Sequence, residues 1–423
     1  VNPTLDVRFL ATRARQASSL LKRSSGNQRD AFLGALAALL RRHTNEIATA
    51  NALDRSEGKR AGLSAALLDR LLLDQSRIDA MAADVEHIAT LPDPLGERFD
   101  TRVLPNGLVV HKRRVPLGVL GVIFESRPNV AIDVAALAIK TGNAAVLRGG
   151  KEAIHSNRLL LGIAREALNA VGLPAELLQF IDSTERFASL ELLHLDDLVD
   201  LIIPRGGAGL HAFCRRESRI PVITGGIGIC HLYVDEHADL KRALPVIRNA
   251  KVQRPTVCNA LDTVLVHQTV ATRFVPAMVE ALGADGVEFR CDDASLPLAD
   301  AVPGARVSPA GEADFDTEWL ALVLGIRIVD NAEMAMHHIE AHSSGHSDGI
   351  LTEDAMLAAE FLARIDSAAV YWNASTRFTD GAQLGLGAEM AVSTQRLHAR
   401  GPMGLIELTS YKWVIEGAYH TRA

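Results

Sequence analysis

The chain is poor in cysteine, in clustered charge and in long apolar runs, and each shortage removes a class of protein. Its 423 residues contain four cysteines, Cys214, Cys230, Cys258 and Cys291. They show neither Cys-x-x-Cys spacing nor an interleaved Cys/His pattern, which argues against a disulfide framework and a zinc motif. A reducing cytoplasm is the expected setting. Charged residues make up 22% of the chain, the formal net charge is -7, and lysine and arginine form no block. Nucleic acid and membrane surfaces are therefore not expected partners, whereas small molecules are. The first residues carry no apolar signal core, and no run approaches the roughly 20 apolar residues needed to cross a bilayer. The sequence also lacks internal repeats and low-complexity segments.

What is present suffices for two or three domains. Up to about residue 95, apolar side chains recur at three- and four-residue intervals, as in "LGALAALLRRH" and "ALLDRLLLDQSRIDAMAADV", which predicts helices with Asn27 and Ser76 as caps. "TLPDPLGE" ends this block. "TRVLPNGLVVHKRRVPLG" places Asn106-Gly107 between two strand-like runs, a hairpin signal. From Gly118 to Gly226, short β-rich runs ("GVLGVIFE", "NAAVLRGG", "LLQFID", "VDLIIP", "IPVITGG") alternate with helical segments. That rhythm predicts βαβ units and a Rossmann-like parallel sheet. A second mixed region, from about 228 to 395, predicts another α/β domain, and "GPMGLIELTSYKWVIEG" reads as a closing strand.

Several motifs carry chemistry. Arg148-Gly149-Gly150-Lys151 ends a strand and opens a helix, the arrangement that presents N–H groups and cations to a phosphate. Pro204-Arg205-Gly206-Gly207-Ala208-Gly209 repeats it, and both loops would lie at the carboxyl edge of the sheet. Neither is a Walker loop. Asn129, after Ser126-Arg127-Pro128, either caps a helix or donates its amide to an oxyanion. Cys258 in "KVQRPTVCNA" is either a buried core thiol or a nucleophile; Arg254 and a helix expected to start at Pro255 favour thiolate. The tract "MHHIEAHSSGHSDG", with His337, His338 and His342, reads as a polar, mobile loop, and no metal site is expected.

In this order the pieces resemble the aldehyde dehydrogenase superfamily. "PLGVLGVIFESRPN", "GNAAVLRGGKEA", "QRPTVCNALDTVLVH", "SDGILTED" and "LHARGPMGLIELTSYKW" narrow the resemblance to its gamma-glutamyl phosphate reductase family, over nearly the whole chain. The resemblance implies an α/β, aldehyde dehydrogenase-like fold. Its cofactor domain would take residues 1–100 and 117–227, its catalytic domain 228–395, and an oligomerisation ribbon 101–116 with 396–423. It implies NADPH-dependent reduction of L-glutamate 5-phosphate, with Cys258 as nucleophile and the Asn129 amide and Cys258 N–H as oxyanion donors. The cofactor would be held by Ser126, Arg148, Gly149, Gly150, Lys151, Gly206, Gly207, Gly225 and Gly226. Arg254, Asn373 and Arg400 are candidates for the substrate. A homodimer or homotetramer and a transient contact with glutamate 5-kinase are implied partners. The alternatives are another NADP-dependent acyl-phosphate or aldehyde oxidoreductase, or a non-catalytic relative.

Two departures from the superfamily are informative. Hydrolytic members place a water-activating glutamate before a Gly-Gly pair; here the segment is Ile223-Thr224-Gly225-Gly226, without that base. Lys151 stands where NAD-preferring members often have a ribose-binding glutamate, so NADPH is expected over NADH.

Overall fold

The computed structural model describes residues 6–225 and 227–422. By contact the chain forms two compact units, one of Val1–Thr224, Gly385–Ala391 and Met403–Ala423, the other of Gly225–Leu384 and Val392–Pro402. The tail is thus shared between them, whereas the sequence reading treats 396–423 as a single element.

In the first unit, helices α1 (Val7–Leu21), α2 (Gly26–Arg42), α3 (Thr44–Arg60), α4 (Ala65–Leu71) and α5 (Gln75–Thr90) come first. Their periodic apolar faces are buried, for example Phe32, Leu33, Leu36 and Leu40 on α2. The caps of α2 and α5 are Ser25 and Asp74, whose side chains accept the N–H groups of Gln28 and Arg77. The expected caps Asn27 and Ser76 lie two residues later, inside the first turn. A cap needs extended backbone just before the helix, which Ser25 and Asp74 have.

The hairpin forms as read. Strands β1 (Arg98–Val103) and β2 (Val109–Pro116) pair antiparallel, and Gly107 takes φ +89° in the turn. The C-terminal strand Thr409–Glu416 pairs antiparallel with the other side of β2, completing a three-stranded ribbon.

There follow β3 (Val119–Phe124), α6 (Val130–Lys140), β4 (Ala144–Arg148), α7 (Ile154–Ala170), β5 (Leu178–Phe180), α8 (Arg186–Leu193), β6 (Leu201–Arg205) and α9 (Ala208–Glu217). The four strands are parallel, in the order β5-β4-β3-β6. Every residue of β3 is buried, as a strand covered by helices on both faces must be. The direction of winding reverses between β3 and β6, so the ligand crevice of this sheet lies beyond their carboxyl ends. The expected strand in "IPVITGG" is absent; only an isolated bridge joins Val222 to Ile202.

In the second unit, β7 (Cys230–Val234), α10 (Leu240–Val252), β8 (Leu261–His267), α11 (Gln268–Ala284), β9 (Glu288–Cys291), α12 (Leu296–Asp300), β10 (Arg306–Pro309), β11 (Val323–Val329), α13 (Ala332–His342), β12 (Ser347–Leu351), α14 (Ala355–Arg364) and β13 (Ala369–Trp372) build a seven-stranded parallel sheet. One apolar cluster packs α10 and α11 on it, and another packs α13 and α14.

The histidine tract is not a loop. His337, His338 and His342 lie on α13, and His338 and His346 are buried. His231 and Asp348 form a fully buried pair at 3.0 Å, with His338 stacked edge-on against His231. Burial pushes His338 down to about 2 and His346 to about 4, so these rings are neutral. Among the described residues no cluster could hold a metal ion, and no helix is long and apolar enough to cross a membrane.

Candidate active site

Cys258 lies in the turn between α10 and β8, at the amino edge of the second unit's sheet. No helix starts at Pro255: residues 253–260 form consecutive turns and bends. The expected helix-dipole effect on the thiol is therefore missing, because Asn259 and Ala260 are drawn directly into β8. Tertiary contacts fix the turn instead. Asn259 Nδ2 donates to the Thr379 carbonyl at 2.9 Å, and Thr376 Oγ1 donates to the Asn259 carbonyl at 2.7 Å. Gly228 packs so closely that a Cβ there would stand 1.6 Å from the Cys258 carbonyl oxygen. The Cys230 thiol donates to that same oxygen at 3.3 Å.

Beneath the turn, Lys251 and Asp262 are buried 3.7 Å apart, and Lys251 Nζ donates to the Leu261 carbonyl at 2.8 Å. Burial raises the Asp262 carboxyl to about 6 against the attraction of Lys251, and burial lowers Lys251. Asp262 also accepts the backbone N–H groups of Cys230 and Trp319. The four cysteines differ sharply. Burial raises Cys230 well above the usual thiol range, Cys214 to about 12 and Cys291 to about 11, so these remain thiols. Only Cys258 is half-exposed.

Two charged residues of this turn region escaped the sequence reading. Glu318 Oε1 accepts the Gly228 N–H at 2.8 Å, and burial raises its carboxyl. A carboxylate therefore does approach the cysteine turn, although not from the 223–226 segment. Arg377 is half-buried and donates through Nε to Gln253 Oε1 at 3.0 Å. Both come from distant segments, and only the bland strings "DTEWL" and "STRFT" announce them.

The substrate candidates separate. Arg254, on the cysteine turn, is exposed. Arg400 is engaged by Asp366, with Nη1 donating to Oδ1 at 2.6 Å, and Asp366 also pairs with Arg396. Asn373 follows β13, at the carboxyl end of the strands, while Cys258 precedes β8 at the amino end. Its amide exchanges two hydrogen bonds with the backbone of Thr352, at 2.9 and 2.8 Å, and its φ is +53°. It is a turn residue, and the structure does not bring it to the cysteine.

In the first unit, the loops after β4, β3 and β6 line the carboxyl edge of the sheet in that order. Ser126 holds φ +48°, a strained value for a serine. Its N–H and Oγ both donate to Glu152 Oε1 at 2.7 Å. The Gly207 N–H donates to Glu125 Oε2 at 3.0 Å. The loops bearing Gly149-Gly150 and Gly206-Gly207 are not neighbours, since β3 lies between β4 and β6. Their glycines also differ in purpose. A Cβ at Gly149 would collide with Asn157 and Phe124, a Cβ at Gly150 or Gly206 with a glutamate side chain, whereas Gly207 and Gly209 face open space. Gly225 is required by the backbone of Val392, 2.1 Å from where its Cβ would be. Gly226 lies outside the described residues. The Asn129 amide donates to Asp133 Oδ2 at 3.0 Å and caps nothing; burial raises Asp133 to about 6.

A dinucleotide fits this edge. The start of α9 is open at Gly207 and Gly209, Lys151 is exposed, and the buried Arg148 Nε and Asn157 amide lack hydrogen-bond partners. The orphaned groups flank the loop after β4 and the open glycines lie at the start of α9, so a phosphate-bearing ligand that used both would reach across the loop after β3.

The aldehyde dehydrogenase family profile matches residues 4–293. A gamma-glutamyl phosphate reductase of Roseiflexus castenholzii is 54% identical over 98% of this chain and 99% of its own length. One from Psychromonas ingrahamii is 53% identical over 97% and 98%. The crystal structure of gamma-glutamyl phosphate reductase from Thermotoga maritima superposes with a TM-score of 0.95 at 44% identity, covering 99% of this chain and all of that one. With fold and near full-length identity in agreement, the chain belongs to the aldehyde dehydrogenase family, in its gamma-glutamyl phosphate reductase branch.

Proposed function

We propose that the chain reduces gamma-glutamyl phosphate, L-glutamate 5-phosphate, to L-glutamate 5-semialdehyde and phosphate, with Cys258 as the nucleophile. The Cys258 sulfur bonds to the acyl carbon while the bond from that carbon to the phosphate oxygen breaks, and phosphate leaves with the electron pair. The acyl group is then held as a thioester. Bound NADPH supplies the hydride that reduces this thioester, and the thiolate is regenerated as the aldehyde departs. Cys258 is the single observation that carries the reading: it alone among the cysteines is half-exposed, while burial keeps the other three as thiols.

Members of the aldehyde dehydrogenase family use nicotinamide cofactors. In this chain the first unit would hold one, with its diphosphate at Gly207 and Gly209 and its ribose near Arg148 and Lys151. Lys151 is exposed and makes no hydrogen bond or ion pair among the described residues, which suits a 2′-phosphate. Lys151→Glu should reverse the preference from NADPH towards NADH, read as the ratio of kcat/KM values; an undiminished NADPH preference removes the assignment.

The function is tested by the reverse reaction. Glutamate semialdehyde, phosphate and NADP+ are mixed with the wild type and with Cys258→Ala, following nicotinamide absorbance. The expected result is phosphate-dependent NADPH formation that disappears in the variant. Phosphate-independent formation by the wild type, or full activity of Cys258→Ala, overturns it.

A further inference from the structure

We infer that Arg377 and Arg254 form the subsite that holds the phosphate group of the acyl phosphate, with Arg377 as the inner cation. The inference rests on the function proposed above and names two groups that serve it.

One arginine belongs to the cysteine turn and the other packs against it. Arg254 precedes Cys258 on the same segment. Arg377 is fastened to that segment at two points: its Nε donates to Gln253 Oε1 at 3.0 Å, and its carbonyl accepts Asn259 Nδ2 at 3.4 Å. Neighbouring Thr376 adds a third tie, to the Asn259 carbonyl. The guanidinium is thus tied to residue 253 and the backbone at residues 376 and 377 to residue 259, on either side of Cys258 in sequence. Among the described residues neither arginine makes an ion pair with a carboxylate. The acidic residue nearest in sequence, Asp380, directs its Oδ1 to the backbone N–H groups of Ala382 and Gln383, at 3.0 and 3.2 Å. Burial and then repulsion by Arg254 lower the Arg377 pKa, so an anion between them would relieve a cost already present in the fold.

The chemistry decides which anion. The substrate carries two, and they differ in distance from the attacked carbon. The phosphorus is one oxygen away, whereas the α-carboxylate lies beyond three further carbons. Cations on the nucleophile's turn and on the segment tied to it match the nearer group. A guanidinium pair suits a phosphate, because each can donate two parallel hydrogen bonds to its oxygens. As the carbon–oxygen bond breaks, charge accumulates on the departing phosphate, and the same pair stabilises it without an acid.

Two measurements test this. In the first, inorganic phosphate protects Cys258 from iodoacetamide, an uncharged reagent, in the wild type. Arg377→Met should need roughly tenfold or more phosphate for equal protection, and Arg254→Met less of an increase, because Arg254 is more solvated. In the second, the reverse assay should show Arg377→Met raising the phosphate KM by a similar factor, with the semialdehyde KM within about twofold and Arg377→Lys restoring part of the loss. A disordered turn would instead lower kcat and change alkylation without phosphate. Unchanged phosphate protection and KM in Arg377→Met overturn the subsite, as does a rise confined to the semialdehyde KM, which would place the α-carboxylate there. Phosphate-independent turnover by the wild type overturns the function itself, a result distinct from these.

Discussion

At the scale of single residues, the cysteine turn is shaped more by what is missing than by what is present. Gly228 has no Cβ because that atom would occupy the space of the Cys258 carbonyl, 1.6 Å away, and would also lie 2.7 Å from its Cα. Neither neighbour is a flexible side chain that could yield. Gly228→Ala must therefore displace the turn, and the Gly228 N–H would lose its alignment with Glu318. Activity should fall by about a hundredfold, since small misplacements of reacting groups carry penalties of that size. The far-ultraviolet circular dichroism should persist, because the strain is local to one turn; wild-type kcat in the variant would show that the contact can relax. Asn129 is the opposite case. Read from sequence it offers an oxyanion donor, yet its amide is committed to Asp133 within α6. Asn129→Ala should change kcat by less than about fivefold, whereas loss of a true oxyanion donor costs about a hundredfold or more. A drop of that larger size would return Asn129 to the chemistry.

At the scale of elements, the end of α10 and the start of β8 are clasped by Lys251 and Asp262, which close the segment carrying Cys258. Such a pair adds little net stability, because desolvation of both charges offsets their attraction, but removing one partner strands the other. Asp262→Asn should destabilise the protein by about 3 kcal/mol, read from denaturant unfolding. Lys251→Met with Asp262→Asn, whose amide oxygen still accepts a backbone N–H, should recover much of that loss while still lowering activity, since the turn would lose its clasp. Equal losses in single and double variants would contradict this account. The same elements show what a sequence displays. Helices α2 and α5, the hairpin at Asn106-Gly107 and the buried strands β3 and β8 announce themselves, because their period is local and their burial uniform. The two misses differ: the ties of Asn259 to Thr379 and Thr376 hold the segment after Pro255 as a turn, whereas "IPVITGG" does pair with Ile202 of β6 but over a single bridge, too short to make a strand. Glu318, Arg377 and the His231–Asp348 pair were invisible because each partner lies far along the chain. Burial turns the histidine tract from apparent loop into core helix, which its polar composition conceals.

At the scale of the whole molecule, the ribbon is the feature that a lone chain leaves unfinished. Its strand order is β1, β2, then the C-terminal strand, so both outer strands present unpaired backbone edges. Tyr411, Trp413 and Ile415 alternate onto one face and are 47%, 48% and 62% exposed, while Val103 on β1, 71% exposed, is in register with Val109 and Glu416 on the opposite face. Open edges and contiguous exposed apolar side chains mark interaction surfaces. Lys112 lies among the rings, 4.6 Å from the Tyr411 centroid and 5.3 Å from that of Trp413, and pairs with Asp100 at 2.8 Å. Lys112 thus places a cation against the aromatic face. Homo-oligomerisation through the ribbon, proposed from the family resemblance, thus has a physical basis in this chain. In sedimentation velocity at micromolar concentration, the wild type should run as a species larger than the 45.5 kDa chain. Ile415→Lys should shift it towards a single chain, because a buried lysine at the interface would be unpaired. Its thermal unfolding should become less dependent on protein concentration, as loss of mass action requires. A wild type that sediments as one chain, or an Ile415→Lys variant that assembles unchanged, would place the interface elsewhere or remove it.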